Sequence, residues 1–213
     1  MPTTALIDYG SGNLRSAEKA LRKAAETLGG DHQIIVTDKA EVVAKADRVV
    51  LPGVGAFTAC MTALGERDGL IAAMEEAVQT RGAPFLGICV GMQLLATRGL
   101  EFGETPGLDW ISGDVKRLQP TEATAKVPHM GWNDIRPKTN SGLFQDMPSP
   151  QFYFTHSFAF YPADAAAMTA SVEHGGRFAA AVERGNIAGV QFHPEKSQAS
   201  GLGFIGRFLE WKP

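Results

Sequence analysis

Apolar residues recur along the first half of the chain in two alternating rhythms. Ala5–Asp8, Ile34–Thr37 and Arg48–Leu51 are short strand-forming runs. Between and after them, Leu14, Ala17, Leu21, Ala24, Ala25 and Leu28 keep the spacing of one helix face, and Leu70, Ile71, Met74, Ala77 and Val78 mark a second. Pro84–Ile88 is a continuous apolar run that predicts a buried strand, and Met92–Thr97 begins another helical pattern. Repeated β-α alternation predicts an α/β fold: a mostly parallel sheet, helices on both faces, right-handed crossovers.

Beyond Glu101 the texture changes. Glu101–Leu108 is turn-rich, and Ile111–Leu118, Phe152–Tyr161, Met168–Val172 and Ala179–Glu183 predict antiparallel strands added to the main sheet. Gly203–Trp211 predicts a closing helix with Phe204, Ile205, Phe208 and Leu209 on its apolar face. No linker, repeat or low-complexity block interrupts residues 1–213, so one domain is expected.

Composition narrows the class. A chain of 213 residues with 44% hydrophobic positions can bury roughly 70% of its unfolded surface and needs no disulfide or metal staple. A net charge of −3 argues against a nucleic-acid or anionic-membrane partner. Cys60 and Cys89 have no metal-ligand spacing, which predicts reduced thiols and no metal. Met1–Thr4 carries no basic or apolar leader, and no run approaches the roughly 20 apolar residues of a membrane span. A cytoplasmic protein without a cofactor is expected.

Candidate chemistry begins at Gly87-Ile88-Cys89-Val90-Gly91. It places a thiol where a strand turns into a helix, with glycines leaving room for a nucleophile elbow at Cys89. There the helix N-terminus is expected to favour the thiolate. A base is offered by Gln191-Phe192-His193-Pro194-Glu195. In an extended segment His193 and Glu195 point the same way, and Pro194 is expected to keep the pair extended. A carboxylate beside an imidazole fixes its tautomer and supports the imidazolium. Asp8-Tyr9-Gly10-Ser11-Gly12-Asn13 has the setting of a phosphate loop, but Arg15 stands where its third glycine belongs and no Walker lysine follows. A tight turn is the better reading. Cys60 reads as a packing residue, and His129 has no metal-ligand spacing to another His or Cys.

Together, Gly87–Gln93 and Gln191–Glu195 resemble the class I (triad) glutamine amidotransferases over almost the whole chain. Ile7–Leu14, Leu51–Gly55, Pro128–Asn133, Tyr153–Phe158 and His193–Gln198 resemble one subfamily, the glutaminase subunits of imidazole glycerol phosphate synthase. The resemblance implies that Cys89, His193 and Glu195 form the catalytic triad. It also implies an oxyanion hole from the amides of Val90 and Gly55, whose flexible turn would await a partner's signal. Gln93, Glu101 and the segment Thr155, His156 and Ser157 would hold glutamine. A barrel-shaped cyclase subunit, met through Asn13, Trp132 and Lys196, would receive the ammonia for histidine biosynthesis. Two alternatives stand beside this: a glutaminase for another synthase, such as those making anthranilate or guanylate, and a catalytically silent binding module.

Overall fold

The computed structural model describes residues 1–122, 125–138, 142–144, 147 and 151–213. The first half follows the predicted alternation: β1 (Thr3–Ile7), α1 (Leu14–Thr27), β2 (Gln33–Thr37), α2 (Ala40–Val43), β3 (Arg48–Gly53), α3 (Phe57–Gly65), α4 (Leu70–Glu75), β4 (Phe85–Cys89) and α5 (Val90–Gln93). The second half adds β5 (Arg98–Gly99), β6 (Thr105–Pro106), β7 (Gly113–Arg117), β8 (His129–Pro137), β9 (Gln151–His156), β10 (Phe158–Pro162), β11 (Met168–Glu173), β12 (Arg177–Arg184), β13 (Ile187–Val190) and α6 (Gln198–Glu210).

The main sheet has the order β2-β1-β3-β4-β13-β12-β11-β8-β9. Its first five strands are mutually parallel, and the remaining pairings are antiparallel. Every residue of β3 and β4 is buried, as expected of central parallel strands covered on both faces. Helix α1 packs on α6, while α2 and α3 pack on α4. The closing helix buries Phe204, Ile205, Phe208 and Leu209, as its spacing predicts.

Three expectations are corrected. The added strands do not all join the main sheet: β10-β7-β5-β6 forms a second one. The apolar run Phe152–Tyr161 is therefore two strands, split at Ser157 between the two sheets. The helix expected from Met92 to Thr97 is a single turn, Val90–Gln93. The carbonyls of Leu94, Leu95 and Ala96, which a longer helix would use, instead accept from the amides of Leu108, Ile111 and Asp109. So short a helix aligns few peptide dipoles, and its end contributes little to the thiolate.

Strand β8 and helices α2 and α3 were not legible. In β8 the descriptive pattern is nearly polar, with only His129 and Ile135 buried, although the strand lies between β11 and β9. In α3 the buried positions Phe57, Cys60 and Leu64 are diluted by small apolar neighbours on other faces.

Candidate active site

Strand β13 runs parallel to β4, with Val190 opposite Ile88. This pairing brings the chain beyond Val190 alongside the turn at Cys89. Cys89 has φ 55° and ψ −112°, a strained backbone for any residue with a Cβ. The turn is held by close backbone packing. A Cβ on Gly91 would lie 1.9 Å from the Leu51 carbonyl oxygen, and one on Gly87 would lie 2.4 Å from that of Gly91. Those contacts, rather than turn flexibility alone, explain both flanking glycines.

A cavity of about 460 Å³ opens beside the elbow. Cys89, Val90, Gln93, Glu101, Thr155, His156, Ser157, Gly55, His193 and Lys196 all contribute to its wall, so most of the candidate residues converge. Glu195 lies behind His193 instead: its Oε1 is 2.9 Å from His193 Nδ1, and both side chains are nearly inaccessible. The pair is not extended as expected. Pro194–Lys196 forms a 3₁₀ turn with Pro194 in its first turn, where its fixed φ and missing N–H are tolerated. His193 Nε2, the nitrogen left to face a reacting group, is buried without a hydrogen-bond partner. Burial pushes the imidazole pKa down, but Cys89 and Glu195 outweigh it and raise His193 to about 9. Beside an ionised Cys89 the ring therefore keeps, at neutral pH, the proton it takes from the thiol.

Ser197, which sequence reasoning missed, ties the backbone at His193 to strand β9. Its buried Oγ donates to the His193 carbonyl at 2.6 Å and accepts from the Tyr153 amide at 3.0 Å.

The oxyanion candidates lie on two turns. Val90 begins α5, and Gly55 sits in open space with φ 101°. The neighbouring Val54 carbonyl accepts from Ser11 Oγ at 2.8 Å and from Cys60 Sγ at 3.4 Å. Because a trans peptide directs its N–H opposite to its C=O, these contacts also aim the Gly55 amide away from Ser11. The turn is thus anchored rather than loose. Tyr9 donates its hydroxyl to the Pro52 carbonyl at 2.8 Å, so the Asp8–Asn13 loop braces the turn from below. Cys60, read from sequence as packing, is buried and contributes to that brace.

Among the glutamine-site candidates, Glu101 Oε2 accepts from the Phe57 amide at 2.8 Å, which holds the carboxylate at the cavity wall. Gln93 is largely committed to protein partners, with Nε2 bonded to the Phe158 carbonyl and to Gln191 Oε1. The His156 ring is also committed, at 3.0 Å to His129 Nδ1 and 2.8 Å to the Phe158 carbonyl. Of that segment, the backbone and the Thr155 and Ser157 side chains are left to meet a ligand. The interface candidates separate into two places. Lys196 Nζ lies over the Tyr153 ring and Trp132 packs edge-on to the same ring. Asn13 lines a narrow cleft on the Glu195 side. Among the described residues, no group of three or more His, Cys, Asp or Glu could hold a metal ion. No helix among them is long and apolar enough to cross a membrane.

His129 and His156 have a testable consequence for stability. Burial lowers His129 to about 3, aided by the nearby His156 and His174, and burial lowers His156 to about 4. The unfolded chain then binds these protons at higher pH than the folded protein does. Stability is expected to fall as pH drops from about 6.5 towards 4. Urea midpoints between pH 7 and pH 4.5 test this, and His129→Gln is expected to flatten the slope. An unchanged slope in that variant would show that His129 is not the group responsible.

An elbow cysteine, a histidine–carboxylate pair and a polar cavity on an α/β sheet define a cysteine-dependent acyl-transfer enzyme. Residues 5–206 match the family model for class-I glutamine amidotransferases. The chain belongs to that family and is a glutamine amidotransferase. It is 57% identical to imidazole glycerol phosphate synthase subunit HisH of Caulobacter vibrioides, with 100% of both chains covered. The corresponding subunit of Rhodospirillum rubrum is 53% identical over 98% of this chain and 99% of that protein. A crystal structure of a glutamine amidotransferase from Thermotoga maritima shares the fold, with a TM-score of 0.63 and 19% identity over 91% of this chain and 76% of that one.

Proposed function

We propose that this protein hydrolyses glutamine through Cys89, His193 and Glu195 and passes the ammonia to a cyclase partner. It does so as the glutaminase subunit of imidazole glycerol phosphate synthase. The observation that carries the catalytic assignment is His193: one ring nitrogen is bonded to buried Glu195, and the other is left unpartnered in the wall that Cys89 shares.

The chemistry follows from that arrangement. The Cys89 proton passes to His193 Nε2, and the thiolate attacks the side-chain amide carbon of glutamine. The resulting oxyanion is met by backbone N–H groups at Val90 and Gly55. As the C–N bond breaks, His193 returns its proton to nitrogen and ammonia leaves. His193 then takes a proton from water, whose oxygen attacks the γ-glutamyl thioester; glutamate is released and the thiol restored. Glu101 offers a carboxylate for the α-amino group, and amides of Thr155–Ser157 offer donors for the α-carboxylate.

Ammonia released into bulk water would be protonated and diluted, so the reaction gains from a partner docked over the site. Trp132 is 45% exposed and Met130 63% exposed on β8, close in sequence to each other and beside the Tyr153–Lys196 contact. An exposed tryptophan and methionine side by side on one strand suit a protein interface. The complete synthase is the proper test: this chain, combined with the cyclase subunit, is expected to support glutamine-dependent cyclisation. Trp132→Ala is expected to weaken association about tenfold or more. Glutamate release without glutamine-dependent cyclisation would overturn the proposed partner.

A further inference from the structure

Beyond the triad, one fully buried side chain reaches the nucleophile. Gln191 has no measurable exposure, and its Nε2 lies 3.7 Å from Cys89 Sγ. The orientation of its amide is dictated by its neighbours. The Phe158 carbonyl can only accept, so the Gln93 group 2.9 Å from it must be the NH₂. The same NH₂ is 3.0 Å from Gln191, whose oxygen must therefore face Gln93. That leaves the Gln191 NH₂ directed at the sulfur.

A second chain of bonds holds this arrangement from the opposite side. His156 Nδ1–H donates to the same Phe158 carbonyl at 2.8 Å. His156 Nε2 in turn accepts from His129 Nδ1–H at 3.0 Å. Asn133 completes the set, donating to His129 Nε2 at 3.1 Å and to the Glu173 carbonyl at 2.9 Å. Every donor and acceptor role is fixed, so the Gln191 amide has no alternative pose of equal satisfaction.

We propose that Gln191 is a further catalytic residue, donating an N–H to the Cys89 thiolate, and that Gln93 is the positioning residue that aims it. This rests on Cys89 being the nucleophile. A neutral amide donor favours the anionic sulfur over the thiol because the bond to an ionised acceptor is the stronger one. It complements His193, which must give up its proton during the cycle and cannot stabilise the thiolate throughout. Gln191, by contrast, keeps its N–H at every step.

Alkylation by iodoacetamide reads the thiolate without requiring turnover, and peptide mapping separates Cys89 from Cys60. In the intact synthase, Gln191→Met is expected to raise the pH midpoint of Cys89 alkylation by about one unit, with roughly a tenfold slower reaction at neutral pH. Gln191→Glu, which keeps the shape but places a carboxylate beside the sulfur, is expected to move the midpoint further in the same direction. Gln93→Met, which frees the Gln191 amide, is expected to give a smaller upward shift. Unmoved midpoints in correctly folded Gln191 variants, with ammonium-dependent synthesis intact, would reduce Gln191 to a packing residue. If Gln191→Met does not fold, a midpoint unmoved in Gln191→Glu alone overturns the proposal. The reading of Cys89 fails separately, if wild-type Cys89 alkylates no faster than Cys60.

Discussion

A Cys89→Ala variant is expected to lose glutamine hydrolysis by at least about four orders of magnitude, while the assembled synthase still turns over on added ammonium. The elbow presents one sulfur to the cavity, and no other side chain there has both nucleophilic character and a base. Thr155 and Ser157 also line the wall, but their hydroxyls have no bond to His193. Cys60 cannot substitute, because its sulfur is engaged with Ser11 and the Val54 carbonyl. Removing Sγ also relieves no strain that the fold depends on, since the backbone at residue 89 is set by the packing of Gly87 and Gly91. Glutamate release and ammonium-dependent product formation, measured on the same complex, separate the two functions. Persistent glutamine-dependent synthesis would show that another group carries the attack.

Glu195→Gln should lower glutamine turnover by about two to four orders of magnitude with little loss of folded protein. The amide oxygen can still accept from His193 Nδ1, so the ring keeps its place. What disappears is the buried negative charge that, with Cys89, holds the His193 pKa at about 9. The imidazolium formed in the attack is then less well supported. A second consequence has a definite sign. The raised pKa of His193 contributes stability that is fully present below about 6.5 and is lost as pH rises through about 9. The stability difference between wild type and variant should therefore narrow across that interval. Steady-state rates and urea midpoints from pH 6 to pH 9.5 test both parts. Wild-type rates in the variant would remove Glu195 from the catalytic group.

The two motifs that define the chemistry were legible because each is contiguous. Gly87–Gly91 encodes its elbow within five residues, where a strand, two tight glycines and a short helix meet. His193 and Glu195 need only a turn to meet, and either an extended segment or the observed 3₁₀ turn allows it. The parallel half of the sheet was equally readable, since Leu14–Leu28 and Leu70–Val78 keep a helical period between short apolar strands. The resemblance named many of the residues that line the cavity, yet it did not distinguish wall side chains free to meet a ligand from those already bonded to protein. Gln93 and His156 fall in that second group.

Some signals were present but outweighed. In an extended run Gln191 and His193 share a side of the chain, so a partner for Cys89 could have been sought at Gln191. Ser197 offered no such pattern, because its two bonds join a turn to a neighbouring strand. Strand β8 was concealed by its own polarity: His129 and Asn133 bury their polar atoms against other polar atoms, which hydropathy cannot anticipate.

Local sequence thus determined the elbow cysteine, the His193–Glu195 pair and the β-α order, because hydrophobic period and turn chemistry act over a few residues. Tertiary structure decided which groups meet. Pairing of β13 with β4 sets residue 193 beside residue 89, and pairing of β8 with β9 places His129 opposite His156. The Asp8–Asn13 loop reaches Val54 only because β1 and β3 are neighbours. These contacts join residues tens of positions apart, and they are selected by the collective burial of the sheet faces rather than by any short pattern along the chain.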